Sequence, residues 1–248
     1  MEGKKKFDEA QVQESKEKTG KKYIWLILVV LFVLLIVLPV LLLVIGILLF
    51  AVIYSIRGEE PAIIEERDLK PVIYLYPEET MDVSVVLEYD GELTCTYPEY
   101  NDGWHVTAQP DGTLTDSESG KEYSYLFWEG ISDTEYDMSK GYVVAGEDTA
   151  AFLQDVLARM GMTPREYNEF IVFWLPRMQD NPYNLITFQQ EVYTESADLY
   201  INPQPDSVLR VFMAYQVLEE PITVEAPELV PFEREGFCVV EWGGTEVK

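Results

Sequence analysis

The chain has two thiols, Cys95 and Cys238, and one imidazole, His105. A nucleophilic thiol needs a base within hydrogen-bond reach, so Cys95 and His105 are the pair to weigh. If the turn over residues 97–104 is symmetric, Thr96 faces His105. Cys95 then points to the other face of the sheet, because side chains alternate along a strand. A one-residue slip in register reverses that geometry. No Cys-Gly-Ser-Cys-type context surrounds Cys95. A packed thiol beside Val86, in a hairpin set by Asp90-Gly91, is the simpler account and the one preferred. A Cys95–Cys238 disulfide belongs to an oxidising compartment, and sequence does not decide it. One His and two separated Cys lack zinc-ligand spacing.

Asp133, Glu135 and Asp137 stand at i, i+2, i+4, like the first ligands of an EF-hand loop. That loop needs Gly at its sixth position and Glu at its twelfth, where this chain has Met138 and Val144. The EF-hand reading fails. A looser calcium site remains against a simple solvated loop. No other cofactor is expected: the chain has no glycine-rich phosphate loop and no Gly-x-Ser-x-Gly elbow.

Three apolar runs each end in a charge: YSYLFW at Glu129, IVFWLP at Arg177 and FCVV at Glu241. Charge at the end of a buried strand is costly unless paired. The three side chains are therefore expected to converge at one rim of a sheet. Convergence fits a salt-bridge cluster that orders strand ends. It also fits a site in which Arg177 binds an anion, or in which Glu129 and Glu241 do the acid–base work of a glycosidase. Tyr97, Tyr100 and Trp104 surround one turn, as hairpin packing or as a platform for stacking sugars. An exposed Trp104 favours the platform; a buried one removes it.

The elements that must position these residues follow from patterning. PVIYLYP (71–77) reads as a strand. DVSVVLEY (82–89) alternates and runs into Asp90-Gly91, a strong hairpin signal, with ELTCTYP as the return strand. Asn101-Asp102-Gly103 and Pro110-Asp111-Gly112 mark the turns on either side of WHVTAQ. YSYLFW (123–128) is apolar on both faces, as in a doubly covered strand. Phe152, Leu153, Val156, Leu157 and Met160 share one helical face, predicting a helix over 148–160. Thr163-Pro164-Arg165-Glu166 has the form of a capping box with Pro at the first position and predicts a second helix over 164–170. IVFWLP, YNLITFQ, RVFMAYQVLE and GFCVVEW read as strands. The class is α+β: an N-terminal transmembrane helix, then a largely antiparallel β domain with two helices packed on one side.

Tyr23 to Ile56 is a run of 34 residues without a charge, longer than the 18 or so that suggest a span and far longer than a signal-peptide core. It reaches about 51 Å as one helix, against a hydrocarbon core of about 30 Å. Trp25 and Tyr54 suit the two interfaces. One tilted helix, or one kinked at Pro39, fits as an uncleaved signal-anchor; a hairpin turning at Pro39 is the alternative. Lys16, Lys18, Lys21 and Lys22 outweigh Arg57, Arg67 and Lys70 beside the span, so the N-terminus is expected inside. This divides the chain into a basic cytoplasmic tail (1–22), the span (23–56), a charged stalk (57–70) and an extracytoplasmic domain (71–248).

From residue 57 onward there are 11 Lys and Arg against 39 Asp and Glu, a balance of −28. Such a surface excludes a nucleic-acid partner. It is a solvated acidic surface or, in the sharper reading, one that takes cations.

The stretches KPVIYLYP (70–77), LTCTYPEYNDGWHVTAQPDG (93–112), YLFWEG (125–130), FWLPRM (173–178) and GFCVVEWGG (236–244) resemble a family of uncharacterised bacterial membrane-anchored proteins. The resemblance covers most of 70–244. It implies a self-contained module and supplies no activity and no catalytic residues. The expectation is a single-pass membrane protein, lipid-bound through 23–56, whose outer domain binds a ligand, an envelope glycan or a protein partner. The alternatives are an extracytoplasmic hydrolase of glycan or peptide using Glu129 and Glu241, and a structural component of a membrane complex.

Overall fold

A computed structural model describes residues 66–248 and, within the apolar run, positions 31, 32, 34, 35, 40 and 43–49. The chain divides into units 1–63 and 64–248. In the first unit the described positions are helical, with Leu35 (71%) and Leu43 (65%) among its exposed apolar side chains. Among the described residues no helix is long and apolar enough to cross a membrane. The tail 1–22, most of the 23–56 run and stalk residues 57–65 lie outside the described residues.

The second unit is mixed α+β and mainly antiparallel. Its strands are β1 (Glu66–Tyr76), β2 (Met81–Tyr89), β3 (Glu92–Tyr97), β4 (Trp104–Ala108), β5 (Leu114–Asp116), β6 (Glu122–Tyr123), β7 (Leu126–Ser132), β8 (Tyr142–Ala145), β9 (Tyr183–Phe188), β10 (Ala197–Asn202), β11 (Ser207–Leu218) and β12 (Cys238–Glu246). Its α-helices are α1 (Thr149–Arg159), α2 (Pro164–Met178) and α3 (Gln190–Ser196). Seven strands form one sheet in the order β3-β7-β1-β12-β11-β9-β8, and five form another in the order β10-β2-β4-β5-β6. Neighbours are antiparallel except β11 and β12, which run parallel.

The seven-stranded sheet is covered on both faces. On one, Val72, Tyr74, Val211, Val240 and Trp242 pack against Leu153 and Leu157 of α1 and Phe170 and Trp174 of α2. On the other, Ile73, Leu75, Phe212 and Val239 pack against Val83, Val85 and Val106 of the five-stranded sheet. Double coverage explains why β1 and β12 read as continuous apolar runs. The five-stranded sheet covers one face only, and β2 alternates accordingly: Val83, Val85 and Leu87 are buried between less buried neighbours. Each such buried aliphatic side chain contributes about 1.5–3 kcal/mol.

Three expectations change. IVFWLP is the second half of α2 rather than a strand. Phe170, Trp174 and Met178 are buried at i, i+4, i+8, while Val172 between them is 75% exposed. Six consecutive apolar residues, 170–175, hide that period. Asp90-Gly91 closes no hairpin, because β2 and β3 belong to different sheets. The connection is a crossing between layers, and Gly91 fits because a Cβ there would come 2.3 Å from the Ile131 carbonyl oxygen. The Asn101–Gly103 turn likewise crosses from β3 to β4 between sheets, whereas Pro110-Asp111-Gly112 does close the β4–β5 hairpin. Finally, β1 begins at Glu66, so the last five residues assigned to the stalk belong to the sheet.

Candidate functional site

Crossing layers decides what meets what. Glu129 and Glu241 lie on opposite faces of the seven-stranded sheet. Glu241 turns toward the second sheet, where it accepts the Trp128 Nε1–H at 3.3 Å. Glu129, next to Trp128 in β7, turns the other way and accepts the Lys70 backbone N–H at 3.3 Å. Arg177, moved onto α2, stays on the Glu129 side of the sheet. The expected convergence of all three is not formed.

What does form on that side is a groove of about 620 Å³. One wall is a stripe of α2: Glu169, Val172, Phe173, Pro176 and Arg177. The other is Lys70 with Ser124 and Tyr125, just ahead of β7. Lys70 precedes Pro71 at a point where β1 shifts register against both β7 and β12. Its φ is 59°, a left-handed conformation that non-glycine residues adopt only under constraint. The irregularity sets the Lys70 ammonium 5.1 Å from the Tyr125 ring centre and 5.2 Å from that of Phe127. Across the groove the Arg177 guanidinium lies 4.0 Å over the Phe173 ring and donates to the Phe173 carbonyl. Both cations thus rest on aromatic faces, an attractive arrangement. Glu169 accepts the Tyr74 hydroxyl at 2.9 Å. Burial, then Glu169, pushes the Tyr74 phenol well above its ordinary pKa.

A second polar constellation is enclosed between the sheets. The buried Asp68 accepts the Tyr89 hydroxyl at 2.7 Å and the Tyr136 hydroxyl at 2.8 Å. Burial raises its pKa to about 6; the two hydroxyls oppose the shift and the negative charge of Glu241 adds to it. Glu241 pairs with Arg210, Nε to Oε2, at 2.6 Å. Burial works against the Arg210 charge, yet with Glu241 beside it its pKa stands above the ordinary value.

The remaining candidates separate. Trp104 is 1% exposed and donates to the Pro98 carbonyl, which removes it from any sugar platform. Tyr100 is held by Leu87, whose N–H and C=O both bond its hydroxyl. Tyr97 is exposed, edge-on to Tyr123 at 5.1 Å. Asp133, Glu135 and Asp137 are exposed, and Asp137 accepts the Ser139 N–H in a local turn. Among the described residues no group of three His, Cys, Asp or Glu is placed to hold a metal ion. Cys95 is opposite Glu129 in β3, not beside Val86, and Thr96 is opposite Trp128; His105 faces Ser84 in the other sheet. No Cys–His pair results. Both thiols are free, Cys95 exposed and Cys238 buried.

Of the groove's features, only Arg177 stood out as a site candidate from the sequence. Lys70 reads as stalk, and Tyr125 and Phe173 as strand interior. The Lys70-Pro71 step was the visible hint, since the residue before proline is restricted.

Residues 66–248 thus form a three-layer α+β domain with a groove that carries two cations on aromatic rings. No family model matches it, and no solved structure does. A Butyrivibrio fibrisolvens protein described as "Uncharacterized protein in bglA 3'region" is 53% identical over 66 residues, covering 25% of this chain and 67% of that relative. The chain belongs to the same family as that protein, whose description carries no activity.

Proposed function

We propose that the protein is a single-pass membrane-anchored binding protein whose outer domain takes an anionic ligand with a planar or apolar part in the Lys70–Arg177 groove. The observation that carries this reading is the pair of cations braced on aromatic rings on opposite walls of one groove, in a chain whose residues from 57 onward have a balance of −28. The cations supply attraction for a carboxylate or phosphate. Tyr125, Phe173 and exposed Val172 supply a surface for a sugar ring, an aromatic ring or a short apolar chain. An acidic envelope glycan has both parts.

The anchor is supported by the charge-free run Tyr23–Ile56, its aromatic ends and the lysines before it. Uncovered apolar side chains at its described helical positions agree with it. The hydrolase alternative loses its support, since acid–base cleavage of a glycoside needs two carboxyls about 5–9.5 Å apart flanking one bond, and the sheet stands between Glu129 and Glu241.

The test is a thermal-shift panel on the full chain in detergent: sugar acids, aromatic carboxylates, phospholipid headgroups and a neutral analogue of each. Anionic members should raise the melting temperature and neutral analogues should not. For a responding compound, Arg177→Gln and Lys70→Gln should each weaken binding about tenfold, equivalent to ~1.4 kcal/mol. Equal responses to charged and neutral members, or unaltered affinity in both variants, would overturn the reading.

A further inference from the structure

β10 is the outer strand of the five-stranded sheet, and its register against β2 fixes which backbone groups are free. The Asp90 N–H donates to the Ser196 carbonyl at 2.8 Å. Hydrogen-bonded pairs recur at every second residue of an antiparallel ladder, so Asp198, Tyr200 and Asn202 bond to β2 opposite Glu88, Val86 and Ser84. Leu199 and Ile201 fall in the other phase and turn their N–H and C=O groups to the open side. Tyr100 fixes the same phase independently. Leu87, which faces Leu199, bonds its own N–H and C=O to the Tyr100 hydroxyl, away from β10.

The open side gives onto a cleft of about 420 Å³ between β10 and β11, whose lining includes Asp198, Leu199, Ile201, Gln204, Val208 and Arg210, one acid and one base. Arg210 points into the space between the sheets, its side chain 11% exposed. Nε is taken by Glu241, the guanidinium lies 4.8 Å from the centre of the Tyr193 ring, and Nη2 is buried without a hydrogen-bond partner. Unpaired strand edges are usually blunted by charged side chains, above all Lys, by Pro or by a bulge, and here the single charge is Asp198. Residues 197–202 contain no Lys or Pro, and their register is unbroken.

We infer that β10 is a strand-addition site for an extended segment of a partner protein, one carboxylate of which pairs with Arg210. Backbone pairing at Leu199 and Ile201 supplies affinity, as in other β-augmentation modes. Arg210 supplies selection for a carboxylate, and the apolar Leu199, Ile201 and Val208 favour apolar side chains two positions either side of it. The carboxylate comes from an Asp or Glu side chain or from a chain terminus. This site is separate from the Lys70–Arg177 groove, and either can fail without the other.

The test offers the full chain in detergent a library of random octapeptides, displayed with free and with amidated C-termini. Retained sequences should share one acid, or require the free terminus, with apolar residues in alternation. In a synthetic peptide from the selection, Glu→Gln (or amidation) should weaken binding at least tenfold. N-methylation of alternate amides should abolish binding. The bound peptide should slow hydrogen exchange at the Leu199 and Ile201 amides. These readouts need no protein variant, so a failure to fold cannot imitate them. Retention of no sequence, affinity that survives N-methylation, or unchanged exchange at those two amides would overturn the inference. A chain already dimeric, with both amides protected before peptide is added, would overturn it in favour of a second copy as the occupant.

Discussion

Asp68 is fully buried, and its carboxylate bonds two tyrosine hydroxyls in the field of Glu241. Its pKa of about 6, against an ordinary 3.8, has a definite sign. Between those values the folded chain keeps the proton that the unfolded chain has lost. Stability therefore falls as pH rises from about 4 to about 6, then levels. The span amounts to about 3 kcal/mol. Asp68→Asn should flatten that slope and raise stability near neutrality, less whatever the rearranged tyrosine bonds cost. Urea unfolding at pH 4 and pH 7 measures it: a variant with the parent's pH slope would place the titration elsewhere. At this scale the candidate site was half legible. Arg177 drew notice as a charge ending an apolar run. Lys70 did not, because the register shift that gives it φ 59° depends on two partner strands that no local pattern names. Asp68 reads as one more stalk acid for the same reason.

At the scale of elements, local signals and pairing partners part company. The alternation in β2, the periodicity of α1 and the cap of α2 are readable because each is satisfied within the segment itself. Thr163 donates its backbone N–H to Glu166 at 2.7 Å, as the capping box requires. The extent of α2 was not readable, since β-branched and aromatic residues at 171–174 favour strands on propensity and only burial against the sheet reveals the helical period. Asp90-Gly91 names a turn, but the strand that meets β3 is β7, more than thirty residues on. Glu166 joins the two levels, accepting the cap N–H and pairing with Arg234 from the segment before β12. Glu166→Ala should therefore cost about 2 kcal/mol, because it removes the acceptor of the cap and the ion pair together, while Arg234 keeps its bonds to the Gly161 carbonyl. Thr163→Ala should cost only about 1 kcal/mol. Equal, small losses in denaturant midpoint would show that Arg234 contributes nothing through Glu166.

At the scale of the whole molecule, charge and hydropathy are segregated along the chain. Seven lysines precede an uncharged run of 34 residues, and the acids concentrate after it. That segregation is legible directly, because it is a matter of composition and not of tertiary contacts. The three-layer arrangement of the domain is less so: double coverage of β1 and β12 can be read from their unbroken apolar runs, but which layer covers which face cannot. We propose a binding domain held outside the cytoplasm by one span. Intact cells carrying a C-terminally tagged chain, treated with protease, test it most directly. A domain on the outer side should lose the tag while a cytosolic control survives. A tag that persists until the cells are opened, although the purified protein is cleaved readily, would contradict it.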